Sequence, residues 1–258
     1  MWFIADRGAR PAPARVAVPT VVPVTIAVAW AGLLVAEPAG APMSHDALAG
    51  GSLPLAVAFG IFGVAWVAMV VAMMLPSSYP LVRAFAATVA DLPNRTARVA
   101  PFLVGYVAVW TMFGFALFAG DLGIHASLDG SFVHDTAHAL LTSNVLIVAG
   151  AFQLTERKRR SLSRCREPAT FLRRHDPQSV AGSARGVALR LGVAYGAHCL
   201  SSCWALMLAV FALGSPELAW MALFGGVMVY EKLGRHGLAV ARLAGAALLV
   251  ASVVVALS

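Results

Sequence analysis

The stretch YGAHCLSSCWALM, from Tyr195 to Met207, sets His198, Cys199, Cys203 and Met207 inside an otherwise lipid-soluble run. At about 100° per residue, Tyr195, Cys199, Cys203 and Met207 follow one slowly drifting stripe of a helix, with His198 and Ser202 on a neighbouring one. Neutral imidazole with thiolate or thioether favours Cu(I) or Zn, and methionine sulfur tilts that set toward copper. Copper is therefore the expected ion and zinc the weaker candidate, with His198, Cys199 and Cys203 as core ligands.

Other residues of the same chemistry stand elsewhere in the chain. His134 and His138 are four apart, so a helix puts them on one face, in an acidic, histidine-bearing stretch suited to capturing a metal from outside. Trp66, Met69 and Met73 share a face of WVAMVVAMMLPSSYP, and Met69, Met73 and Met207 offer weak soft contacts. Cys165 lies among arginines in SRCREP, a conceivable inner acceptor. Glu231 and Lys232 close a hydrophobic segment, where the lysine can snorkel and the glutamate can pair with a basic loop residue.

Every one of these types also serves plain packing. Cysteine behaves as a small hydrophobe, methionine fills gaps, and Gly, Ser and Ala bring membrane helices close. His198 tips the balance, because a titratable ring deep in hydrocarbon is costly and usually faces a partner or a cavity.

The elements that must position these groups follow from composition. Hydrophobic residues make up 60% of the chain and charged ones 12%, far from the roughly 45–50% and 25% of soluble domains. A span needs roughly 20 apolar residues. Seven windows qualify: Val16 to Ala36, Leu55 to Leu75, Pro101 to Gly120, His134 to Leu154, Val187 to Leu213, Glu217 to Lys232 and Leu238 to Leu257. The expectation is an all-α, polytopic membrane helix bundle forming a single integral domain over residues 1–258.

Short cytoplasmic loops collect Lys and Arg. With the N-terminus inside, all 19 such residues fall on the inner side, densest in the 155–186 loop. That places the C-terminus outside and the protein in the cytoplasmic (inner) membrane. Basic residues, an apolar run and the small residues of EPAGAPM also give the first window the look of a signal peptide, whose removal would leave six spans.

Counting about 1.5 Å per residue from an entry near Val187 puts His198 and Cys199 at mid-membrane, Cys203 in the outer half and Met207 near the outer surface. His138 then reaches the depth of Cys203, and Met69 lies about 9 Å closer to the cytoplasm than Cys199. An outer-half site shared by the fourth and fifth spans is the geometric expectation.

Several classes drop out. The net charge of +7 is explained by topology, and no nucleic-acid motif accompanies it; the expected contact is with anionic membrane lipids. Neither H-E-x-x-H nor G-x-S-x-G occurs, so no enzyme is indicated. Cys199 and Cys203, on successive turns of one helix, are poor disulfide partners. A secondary transporter and a non-catalytic scaffold subunit of a larger complex remain as alternatives. No internal repeat supports the former.

AMMLPS at Ala72 to Ser77, FQLTERK running on to CREP, HCLSSCWALM and the closing EK resemble a bacterial family of predicted metal-binding integral membrane proteins, some labelled copper chaperones. The resemblance covers roughly Leu55 to Lys232. It implies metal handling in the cytoplasmic membrane with a small partner protein. Cys199 and Cys203 match the first and third cysteines of the family's C-L-G-C-C-W, while Ser201 replaces its glycine and Ser202 its second cysteine, which removes one thiol from the chelate. Gln153, Lys158, Cys165, Arg166 and Pro168 carry over as family features without an assigned role.

Overall fold

The computed structural model describes residues 20–36, 48, 53–89, 95–128, 134–175, 185–213 and 218–257. Among them every regular element is a helix: α1 (Val21–Ala36), α2 (Leu55–Thr88), α3 (Arg95–Leu128), α4 (His134–Leu154), α5 (Glu156–Cys165), α6 (Pro168–Arg174), α7 (Arg185–Ala212), α8 (Leu218–Leu233) and α9 (Gly237–Leu257). Each of the seven apolar windows contains one of these helices among its described residues. Four helices (α2, α3, α7 and α9) are long and apolar enough to cross a membrane, and α4 joins them if α4 and α5, bent by 68°, are taken as one broken span. α1 and α8 have 16 residues each.

The second window runs well past its expected end at Leu75. Pro76 has no N–H to give the Ala72 carbonyl, but Trp30 Nε1 of α1 donates to that oxygen at 3.1 Å. With the freed acceptor satisfied, α2 continues through Pro76 and Pro80 to Thr88. Its 34 residues span about 51 Å at the helical rise, longer than a bilayer core of about 30 Å.

The basic 155–186 loop is not simply a loop, because it contains α5 and α6. Thr155 caps α5 by accepting from the Lys158 N–H at 3.1 Å, and Glu156 occupies its first turn, both favourable at a helix start. α6 begins on Pro168, where a missing N–H costs nothing. The buried face of α5 is Lys158, Ser161, Leu162 and Cys165, the i, i+3, i+4, i+7 stripe of an amphipathic helix.

Glycines set the closest helix pairs. α3 and α7 meet backbone to backbone at Gly105 against Leu189 and at Gly192 against Phe102. α4 and α9 do the same at Gly150 and Gly245, where a Cβ on either would lie within 3 Å of the other's carbonyl oxygen. Small residues at crossings are how helices approach without a hydrophobic driving force.

Hydrogen bonds fix a common level. Ser77 of α2 and Cys199 of α7 both contact Lys232 of α8, and Tyr106 of α3 contacts Cys199. Gln153, in the last turn of α4, bonds Glu231 there. So α4 and α8 end at this level, whereas α2 runs on to Thr88, α3 rises to it from Arg95 and α7 from Arg185. α5 and α6 lie against that protruding part, with Phe171 packed edge-on to Tyr195 and His198. At the opposite end, Phe62 stacks on Phe118 at 4.5 Å and Trp66 donates to the Trp110 carbonyl at 2.8 Å, an aromatic layer between α2, α3 and Phe211 of α7.

These levels correct the depth arithmetic. The cysteines sit beside the ends of α4 and α8 at the basic end of the bundle, not in the half that His134 and His138 approach. Counting from Val187 erred because the first turns of α7 run alongside the overshooting ends of α2 and α3. His138 stands about 22 Å along α4 from Gln153 by the helical rise, too far to share an ion with Cys203. Met69 and Met73 lie on the far side of Ser77 from the basic end, the reverse of the position expected for Met69.

Candidate functional site

The chemistry-bearing side chains gather around two buried thiols. Cys199 and Cys203 are fully buried and Cys165 is 7% exposed, and all three are free. Cys199 Sγ accepts from Lys232 Nζ at 2.9 Å, and Tyr106 OH lies 3.2 Å from the same sulfur. Lys232 Nζ also donates to Ser77 Oγ at 2.9 Å, and Ser78 Oγ donates to Tyr106 OH at 2.8 Å. One hydroxyl and one ammonium thus contact the Cys199 sulfur, each held in turn by a serine of α2.

Ser202 links the remaining thiols. Its Oγ is 3.4 Å from Cys203 Sγ and 3.5 Å from Cys165 Sγ. The Cys165 thiol donates to the His198 carbonyl at 3.6 Å. Cys165 therefore belongs to the same cluster, although its distance in sequence concealed this. Its place on the amphipathic stripe of α5 was the available signal.

A second buried charge system ties the loop helices to the bundle. Lys158 Nζ donates to Glu231 Oε2 at 2.6 Å and to the Ser202 carbonyl at 2.8 Å, and Gln153 Nε2 donates to Glu231 Oε1 at 2.6 Å. Lys158 is 1% and Glu231 0% exposed. The Arg166 guanidinium adds bonds to the carbonyls of Glu231 and Gly234. Pairing of Glu231 with a basic loop residue is as expected. Lys232 is not: it turns inward to the thiol rather than snorkelling outward, because Cys199 and Ser77 supply acceptors inside.

The other expected ligands are distributed differently. The ring of His198 leaves the thiols and stands over Phe171, in a surface pocket of about 250 Å³ that Arg164, Glu167, Arg174 and His175 also line. Met73 and Met207 are buried, Met69 is 5% exposed, and Met221 and Met228 of α8 are buried with them. Met73 lies one turn from Ser77 and Met207 one turn from Cys203, both away from the basic end. The side chains of His134 and His138 lie outside the described residues. Among the described residues, no three His, Cys, Asp or Glu side chains stand together in a metal-holding arrangement.

No curated protein and no solved structure matches the chain. A family model described as PpoB2, copper chaperone, matches residues 63–255, a stretch that contains every residue of the thiol cluster and of the Lys158–Glu231 system. The protein is an all-α chain with membrane-spanning character, and it belongs to the PpoB2 copper chaperone family.

Proposed function

We propose that this protein binds Cu(I) on the thiols of Cys199 and Cys203, with Cys165 beside them, and exchanges the ion with a small protein partner at the face covered by α5 and α6. In this reading the bundle sits in the cytoplasmic membrane with seven crossings, the N-terminus and the basic end inside and the C-terminus outside. The observation that carries it is the proximity of three free, buried cysteines: the Cys165 and Cys203 sulfurs both contact Ser202 Oγ, and Cys199 lies one helical turn from Cys203 on α7.

Soft thiolate ligands select Cu(I), and neutral imidazole or oxygen ligands do not compete inside this cluster. Two sulfurs suffice for Cu(I), which accepts linear two-coordination, so a third preformed ligand is unnecessary. The aromatic layer around Phe62 and Trp66 lies between the thiols and the far end, which favours access from the basic end. Met73 and Met207 extend a soft surface one turn deeper.

The test is copper binding by detergent-purified protein under reducing conditions. Cys199→Ser and Cys203→Ser are each expected to weaken Cu(I) binding at least about tenfold, or ~1.4 kcal/mol. Unchanged copper stoichiometry and affinity in the double variant would remove the assignment.

His198→Ala gives the opposite expectation. With its ring over Phe171 rather than at the thiols, its removal leaves copper stoichiometry at the parent value and affinity within about threefold, roughly 0.65 kcal/mol. A loss as large as that of Cys199→Ser would restore His198 as a core ligand.

A further inference from the structure

Lys232 is 3% exposed, yet none of the ion pairs among the described residues involves it. The neighbouring carboxylate, Glu231, is turned to Lys158 and Gln153. A buried ammonium held only by a sulfur and a hydroxyl has its charge unmatched by any carboxylate, and such charges are kept only where something compensates them. The compensating group has to come from the thiols or from what they bind.

Charge counting then separates metals. Lys158 and Glu231 cancel each other. The Cys165 thiol donates to the His198 carbonyl and stays neutral. When Cys199 and Cys203 take up a cation, each gives its proton to solvent and becomes a thiolate. With a monovalent ion the bis-thiolate centre carries one negative charge, which the Lys232 ammonium balances. With a divalent ion the same centre is neutral, and the ammonium is left as a net buried positive charge.

We infer that Lys232 is the charge-selecting residue of this site: its inward ammonium, 2.9 Å from Cys199 Sγ, makes the loaded centre neutral for monovalent soft cations, Cu(I) or Ag(I), and cationic for Zn(II). The inference rests on the thiol site proposed above. Ser77 contributes by holding the ammonium in line, through its 2.9 Å contact with Nζ. Lys232 is a specificity residue acting through charge, and it does not ligate the ion.

The experiment compares competition titrations of Cu(I) and of Zn(II) on the detergent-purified parent, Lys232→Met and Lys232→Arg, anaerobically and with thiols reduced. Expected is a fall of at least about tenfold in the Cu(I)-over-Zn(II) affinity ratio for Lys232→Met, with Lys232→Arg staying within about threefold of the parent. The ratio is the readout because a disturbed fold weakens both metals together. A parental ratio in Lys232→Met, including equal loss of both ions, overturns the inference, and so does an equal fall in Lys232→Arg. If Cys199→Ser/Cys203→Ser keeps its copper, the site itself is wrong; if it loses copper while Lys232→Met keeps the parental ratio, only charge selection fails.

Discussion

Glu231→Ala is expected to lower stability by about 3–5 kcal/mol, the cost of breaking a buried ion pair by removing one partner. Lys158 would be left 1% exposed with its ammonium bonded only to the Ser202 carbonyl, and Gln153 Nε2 would lose its acceptor. For a chain of this size that loss corresponds to a melting-temperature drop on the order of 10 °C, measured by thermal unfolding in detergent. Lys158→Met alone should cost a comparable amount, because it strands a buried carboxylate. The double variant Lys158→Met/Glu231→Leu should recover most of the stability, since apolar replacements of a buried pair are often neutral or better. The pair's own contribution is then what the double-mutant cycle measures. If Glu231→Ala melts within a degree or two of the parent, the buried pair is not what fastens α5 to the bundle.

That pair also shows where sequence reasoning reached and where it stopped. Hydropathy located the four helices long and apolar enough to cross a membrane, α2, α3, α7 and α9, because a spanning segment must satisfy its backbone internally and so reads as one long apolar run. It did not locate their ends. α2 passes Pro76 with its freed carbonyl satisfied by Trp30, 42 positions before Ala72 in the chain. Once α2, α3 and α7 overshoot, rise counting from an assumed membrane entry shifts every depth, which is how Cys203 came to be placed near His138.

The cysteine stripe on α7 was legible, since Cys199 and Cys203 share a face by helical spacing alone. Its surroundings were not. The inward turn of Lys232 depends on Ser77 and Cys199 arriving from two other helices, and a Lys at a helix end reads locally as a snorkelling residue. α5 did carry local signals, a Thr cap and an i, i+3, i+4, i+7 stripe, but five basic residues among its ten made the segment read as an inner-face loop. His198 misled for a related reason: the cost of burying an imidazole applies only if the ring is buried, and α7 at that point borders the pocket beside α6.

Gly192→Ala should be the most damaging Gly→Ala change among the described glycines, although it touches no thiol. A Cβ at Gly192 would run into the backbone carbonyl and Cα of Phe102, and Gly105 faces Leu189 and Val193 in the same backbone-to-backbone way. In an isolated helix the change would gain roughly 0.5–1 kcal/mol. Here neither backbone can yield as a side chain would, so the helices must part, and overpacking of this kind costs about 1–3 kcal/mol or more. The consequence reaches the site, because α3 carries Tyr106 and α7 carries Cys199, whose contact spans 3.2 Å across that crossing. Gly192→Ala is therefore expected to lower both the melting temperature and Cu(I) affinity. Gly186→Ala on the same helix and Gly123→Ala on α3, with nothing within 4 Å of the added carbon, should leave Cu(I) affinity unchanged and hold or slightly raise the melting temperature. Thermal unfolding and copper titration on the three variants side by side decide it. Equal stability of all three would mean that the α3–α7 crossing is looser than the close glycine contacts require.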